Sequence, residues 1–158
     1  MSSWRDIEAE AADFAAAVRA RFEAHKHHTL ATLRKTGAPR ISGTEVNFQD
    51  GELYIGSMWQ ARKARDLQRD ARFALHSASD DPPAWPGDAK IAGRFEEITD
   101  PDLVRAINHA TDPAPPEPSH LFRADIDEVV LTRLGDPADH LVIESWHAGR
   151  GLRRVERR

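Results

Sequence analysis

The chain contains no cysteine, which excludes both a disulfide framework and a thiolate metal site. It has no run near the ~18 apolar residues of a membrane-spanning helix. Its first residues lack the charged-then-apolar order of a secretory leader, so a cytoplasmic protein with no membrane partner is expected. No charge of one sign dominates: 22 Lys and Arg face 26 Asp and Glu, for a net charge of -4. That balance offers no global attraction to nucleic acid or to a membrane surface. There is no internal repeat, and the only biased tract is a short proline-rich patch over residues 112–119. What remains, at 158 residues, is one domain able to bury about two-thirds of its unfolded surface.

Two clusters that invite a metal reading do not support one. His25, His27 and His28 straddle a helix-to-strand boundary, so their side chains are not expected to converge. His140 and Glu144 share a strand face from which His147 is excluded. Ser57 has no His–Asp pair arranged by motif, and no catalytic residue is nominated. The tail, residues 149–158, carries Arg150, Arg153, Arg154, Arg157 and Arg158 without interleaved aromatics. It reads as arginines for a partner subunit or an anionic cofactor, not for nucleic acid.

The patterning predicts a mainly β protein with flanking helices. Trp4, Ile7, Ala11, Phe14, Val18 and Phe22 recur at steps of three and four, which predicts one amphipathic N-terminal helix within residues 1–27. Ser3 followed by Asp6 is a capping signal. Residues 28–34, 39–48 and 52–57 read as an antiparallel meander, with Asp50-Gly51 as a hairpin turn. A short helix over 62–70 follows, then strands over 72–77 and 89–98. A second helix spans 100–110 with Pro101 at its first position. The last strands fall over 126–134 and 140–146. The sum is a six- to seven-stranded antiparallel split β-barrel over residues 28–147, a helix before it and an Arg-rich tail over 148–158.

The most informative stretch is Ser57-Met58-Trp59-Gln60-Ala61-Arg62-Lys63-Ala64-Arg65-Asp66. A strand runs into a short loop, and the loop opens a helix whose first turn holds Arg62 and Lys63. First-turn N–H groups have no partner inside the helix and point at any anion placed there. Two cations in that turn oppose the helix dipole unless something negative binds them, and a phosphate fits. Asp66, four residues after Arg62, also allows an ordinary solvated face with i,i+4 pairing.

The order of parts carries a resemblance. The hairpin Ala31-Thr32-Leu33-Arg34…Gly37-Ala38-Pro39-Arg40 comes first, then the strand Asp50-Gly51-Glu52-Leu53-Tyr54-Ile55. The helix Arg62-Lys63-Ala64-Arg65-Asp66-Leu67-Gln68-Arg69-Asp70 completes the set. Together these resemble the pyridoxamine 5'-phosphate oxidase-like family of flavin-binding split barrels. The likeness covers residues 28–97, with a weaker echo at Trp146 and the tail.

The resemblance implies a homodimer with FMN in a groove between subunits. Arg62 and Lys63 would hold the FMN phosphate, and Arg40 and the strand after it would line the groove. Gly56 and Ser57 would lie against the ribityl chain or ring. Lys90 would approach the polar edge of the ring, and Trp146 would reach the flavin from the partner. The implied activity is oxidoreduction of a small organic substrate. The alternatives are a reductase using the deazaflavin coenzyme F-420, or a non-catalytic flavin carrier. The longer anionic tail of F-420 would suit Arg65, Arg69 or the C-terminal arginines. Two departures argue against a true pyridoxamine 5'-phosphate oxidase. Glu45 stands where the oxidases carry a phosphate-gripping Lys, and Gly151-Leu152-Arg153-Arg154 replaces their C-terminal Arg-Leu-His element.

Overall fold

The computed structural model describes Met1–Arg158. The N-terminal periodicity is carried by two helices, α1 (Trp4–Glu10) and α2 (Ala12–Glu23), not by one. Ser3 caps α1 through a reciprocal box with Asp6, as the sequence suggests. Ala11 then leaves the helical region (φ -149°, ψ 67°) and turns the chain. The break lets Trp4 and Ile7 enter the same core as Phe14, Val18 and Phe22 from a second axis.

Nine strands follow: β1 (His28–Leu33), β2 (Pro39–Thr44), β3 (Asn47–Gln49), β4 (Glu52–Met58), β5 (Arg72–His76), β6 (Asp88–Glu97), β7 (Ser119–Leu134), β8 (Leu141–His147) and β9 (Gly151–Arg157). Helix α3 (Arg62–Arg69) joins β4 to β5, and α4 (Pro101–His109) joins β6 to β7. The expected six or seven strands become nine for two reasons. The run over 39–48 breaks at Glu45-Val46 into β2 and β3, and the arginine-rich tail pairs with β8 as β9. In addition, β7 begins at Ser119, seven residues before the strand read from the sequence.

Pairing is antiparallel throughout, in the order β2-β1-β5-β6-β7-β4-β3, with β8 and β9 branching from β7. The sheet curls but does not close: β2 and β3 are its two ends and do not pair. This open seam makes the barrel a split one. Beside it, the β3–β4 hairpin turns on Asp50 and Gly51, both at positive φ (54° and 78°), as a two-residue hairpin loop requires. At the β6–β7 bulge Gly93 is obligatory, because a Cβ there would lie 2.0 Å from the Asp125 carbonyl oxygen.

Alternation places Leu30, Ile55, Leu75, Ile91 and Ile126 on the inner face, where they meet Trp4, Ile7 and Phe22. A smaller cluster on the outer face of β4 and β7 joins Tyr54 and Leu121 to Ile107 of α4. That contact stands α4 beside the seam. No helix is long and apolar enough to cross a membrane.

Candidate functional site

Helix α3 is built from strong helix formers and buries Ala64, Asp66 and Leu67. Its mouth is bare. Ala61 occupies the N-cap position with an extended backbone (φ -59°, ψ 148°) but has no side chain to accept a bond, and the first turn holds no acid. Free N–H groups and two cations therefore share one end of the helix.

Asp66 does not pair with Arg62. It is turned inward, where it accepts from Arg40 Nε at 2.7 Å, Thr32 Oγ1 at 2.8 Å and Arg69 Nη2 at 2.9 Å. Burial pushes its carboxyl up, but the bonds from Arg40, Thr32 and Arg69 outweigh that and hold it below the ordinary carboxylate value. The i,i+4 pairing with Asp66 is thus absent for Arg62, which stands exposed to solvent at the first helical position.

Lys63 reaches the other way. Its Nζ donates to the Gly43 carbonyl oxygen on β2 at 2.9 Å. Desolvation lowers its pKa, opposed by the charge of Glu45. It lines a cleft of about 480 Å³ in the seam, together with residues 43–47, Gly56, Ser57 and Met58. The far wall is α4 (Ile107, Asn108, Thr111) and the proline-rich residues 113–116. Gly56 is exposed in the cleft, and a Cβ there would meet nothing nearer than a carbonyl oxygen at 3.9 Å. The floor at that point is open backbone against which a flat group can lie. Lys26 and His27 sit at the rim, each 3.9 Å from Glu45.

The structure brings Gly56, Ser57 and Lys63 together in the cleft, with Arg62 on the adjoining helix turn. Arg40, on β2, is turned to Asp66 through Nε, and neither it nor Arg62 lines the cleft. Two further expected residues lie farther away. Lys90 is exposed on the outer face of β6, between His76 and Val130 in register, and does not line the cleft. Trp146 is buried in the core at 1 % exposure, its Nε1 donating to Glu10 at 2.8 Å. It occupies the inward face of β8 opposite Val129, which corrects the expectation that it reaches outward. His25, His27 and His28 diverge: His25 meets Asp80, His27 lies near Glu45, and His28 accepts from the Ala78 N–H. The cleft residues missed in the sequence are those of α4 and the proline segment. Asp100 and Pro101 announce α4, but nothing local tells which strands it covers.

A family model described as pyridoxamine 5'-phosphate oxidase matches residues 14–133. A search of curated proteins returns no match. Among solved structures, a pyridoxamine 5'-phosphate oxidase-related, FMN-binding protein from Nostoc punctiforme superposes with a TM-score of 0.64 at 16% identity, covering 94% of this chain and 96% of that one. A heme-binding protein from Mycobacterium smegmatis gives 0.57 at 18% identity, covering 90% and 87%. A protein of unknown function from Agrobacterium tumefaciens gives 0.61 at 22% identity over 73% of this chain, which spans 54% of its length. At these identities the likeness to solved structures concerns the fold.

Proposed function

The chain belongs to the pyridoxamine 5'-phosphate oxidase-like family, and from that premise we propose that it binds FMN in the seam cleft and acts as a homodimeric oxidoreductase on a small organic substrate. One observation carries this reading. The α3 mouth has no cap and no acid, yet holds two cations, while Asp66, the carboxylate spaced to pair with Arg62, is committed to Arg40, Thr32 and Arg69. An anion supplied from outside satisfies all of these groups at once.

The residues fit FMN. Lys63, already stripped of much of its water, and Arg62 with the first-turn N–H groups bind the phosphate. The bare backbone at Gly56 lets the ring lie close, and Ile107 and the prolines of 113–116 keep water from one side of it. The cleft volume of about 480 Å³ lies within the usual range for cofactor pockets. When bound, FMN supplies the hydride or electron transfer. Glu45 at the rim repels a phosphorylated substrate, which favours a neutral or cationic one over pyridoxamine 5'-phosphate. The homodimer is supported by the outer sheet face, where Ile41 (74 % exposed) heads a row of Ala31, Ala74 and Ala92 in register across four strands. Met58, 76 % exposed beside the cleft, adds apolar surface that a second copy would cover.

The test is titration of the purified chain with FMN, with coenzyme F-420 and heme as competing ligands; His27 is the one histidine at the cleft. FMN binding that Arg62→Ala with Lys63→Ala abolishes supports the site. Preference for F-420 transfers the reading to the deazaflavin, and tight FMN binding with no reduction by any nicotinamide donor marks a carrier. Sedimentation at micromolar concentration reads the dimer, and a monomer defeats that part.

A further inference from the structure

A buried histidine at the start of β7 faces the loop that leads into α3. The His120 side chain is 2 % exposed. The Gln60 N–H lies 3.1 Å from its Nε2. A backbone N–H can only donate, so Nε2 must accept and the ring proton sits on Nδ1. Nδ1–H then donates to Glu97 Oε1 at 2.6 Å. The other Glu97 oxygen accepts from Gln68 Nε2, in the last turn of α3, at 2.9 Å. One imidazole–carboxylate pair, on neighbouring strands, thus fastens both the entry loop of α3 and its final turn.

The loop itself is held in a costly form. Gln60 lies at φ 64°, a left-handed conformation that a non-glycine residue keeps only where its surroundings enforce it. Trp59 lies flat on the His120 ring, centroids 4.5 Å apart at 9°. The other charged groups beside this pair, around a second cavity of about 630 Å³, are Arg105 on α4 and Glu117 in the proline segment. Arg105 is engaged by Asp102. None of them reaches Nε2, which has the Gln60 N–H as its single partner.

We propose that His120 is a positioning residue for the phosphate site. Its neutral Nδ1–H form, fixed by Glu97, holds Gln60 left-handed and so aims the first-turn N–H groups, Arg62 and Lys63 at the bound anion. The effect on binding rests on the FMN reading above; the clamp itself does not.

Three measurements on the intact chain test it: the 15N shifts of the His120 ring, hydrogen exchange at the Gln60 amide, and the FMN dissociation constant. The wild-type ring should report a protonated Nδ1 and a bare Nε2. His120→Phe keeps a ring under Trp59 but offers no acceptor; it should speed Gln60 exchange and weaken FMN binding, each about tenfold. His120→Gln can present Oε1 where Nε2 stood and should keep both within about threefold of wild type. The opposite ring tautomer overturns the proposal, as does a Phe variant that matches wild type in both exchange and affinity. Should the Phe variant not fold, the wild-type ring shifts and the Gln variant decide. FMN that fails to bind wild type sinks the cofactor reading alone, because ring shifts and exchange read the clamp without ligand.

Discussion

One turn apart on α3, two sets of charges are treated in opposite ways. Asp66 is buried at 3 % exposure, and three donors converge on it from β1, β2 and its own helix. At the mouth of the same helix, whose first turn has no side-chain cap, Lys63 lines the cleft and Arg62 stands exposed outside it. The first set is complete within the chain and ties α3 to the barrel. The second has no carboxylate bonded to it within the chain, Lys63 reaching only the Gly43 carbonyl, and on the reading proposed above a bound anion completes it. A charge that the fold satisfies is architecture; a charge that it leaves facing free donors in a concave place points to a ligand.

The largest expected effect breaks the complete set. Asp66→Ala leaves Arg40, whose side chain is 17 % exposed, without its carboxylate, and should cost about 3–5 kcal/mol of unfolding free energy in urea. A loss below about 1 kcal/mol would mean that Asp66 is no more structural than an exposed pair. The next effect is of the opposite kind. Arg62→Ala with Lys63→Ala should cost only about 1 kcal/mol of stability, the bond from Lys63 to the Gly43 carbonyl. It should weaken FMN binding by about 3 kcal/mol, two charge-assisted bonds at about 1.5 each. Equal damage to stability and binding would erase the distinction between the two sets.

Legibility follows the same division between local and distant causes. The cationic mouth of α3 and the Asp50-Gly51 hairpin are visible in a few adjacent residues, because first-turn geometry and positive φ are local demands. The burial of Asp66 is not: i,i+4 spacing suggests Arg62, and only the packing of α3 on β1 and β2 delivers Arg40 and Thr32 instead. β9 escapes a pattern search because six of its seven residues are exposed, so no apolar alternation marks it; it exists by pairing with β8. The first half of β7 hides behind the prolines of 112–118. Trp146 misleads because a tryptophan in an alternating strand fits either face, and its face was set by register with Val129. The α4 wall of the cleft, and with it half the site, depends on a helix crossing from β6 to β7 that no local spacing encodes.

Acid and base sharpen the contrast further. Desolvation depresses the pKa of buried His28 below 6.5, so the unfolded chain takes up its proton first. Its contribution is complete above pH 6.5 and fades as pH falls below that value. The Asp66 carboxyl is also depressed, so its contribution is complete above pH 3.8 and fades only as pH drops through its lower folded value. Urea midpoints should therefore decline in two acid steps, the first removed by His28→Gln and the second by Asp66→Asn. At the cleft the window is alkaline. Lys63 lies below 10.5 in the free protein because of desolvation, and a phosphate would raise it. FMN binding should take up a proton there and weaken as pH rises through the free lysine's titration. An affinity flat across that range would place the phosphate away from Nζ.

The smallest change tests the mouth of α3 most directly. Ala61 already has the extended backbone of an N-cap and lacks only the acceptor. Ala61→Asp supplies it, bonding free N–H groups and facing Arg62 and Lys63 with a carboxylate. Stability should rise by about 1 kcal/mol, measured by urea unfolding. FMN affinity should fall, because the new carboxylate occupies the donors and repels the phosphate. The two readouts must move in opposite directions. If both rise, the phosphate sits elsewhere in the cleft, and the free N–H groups of α3 are not what holds it.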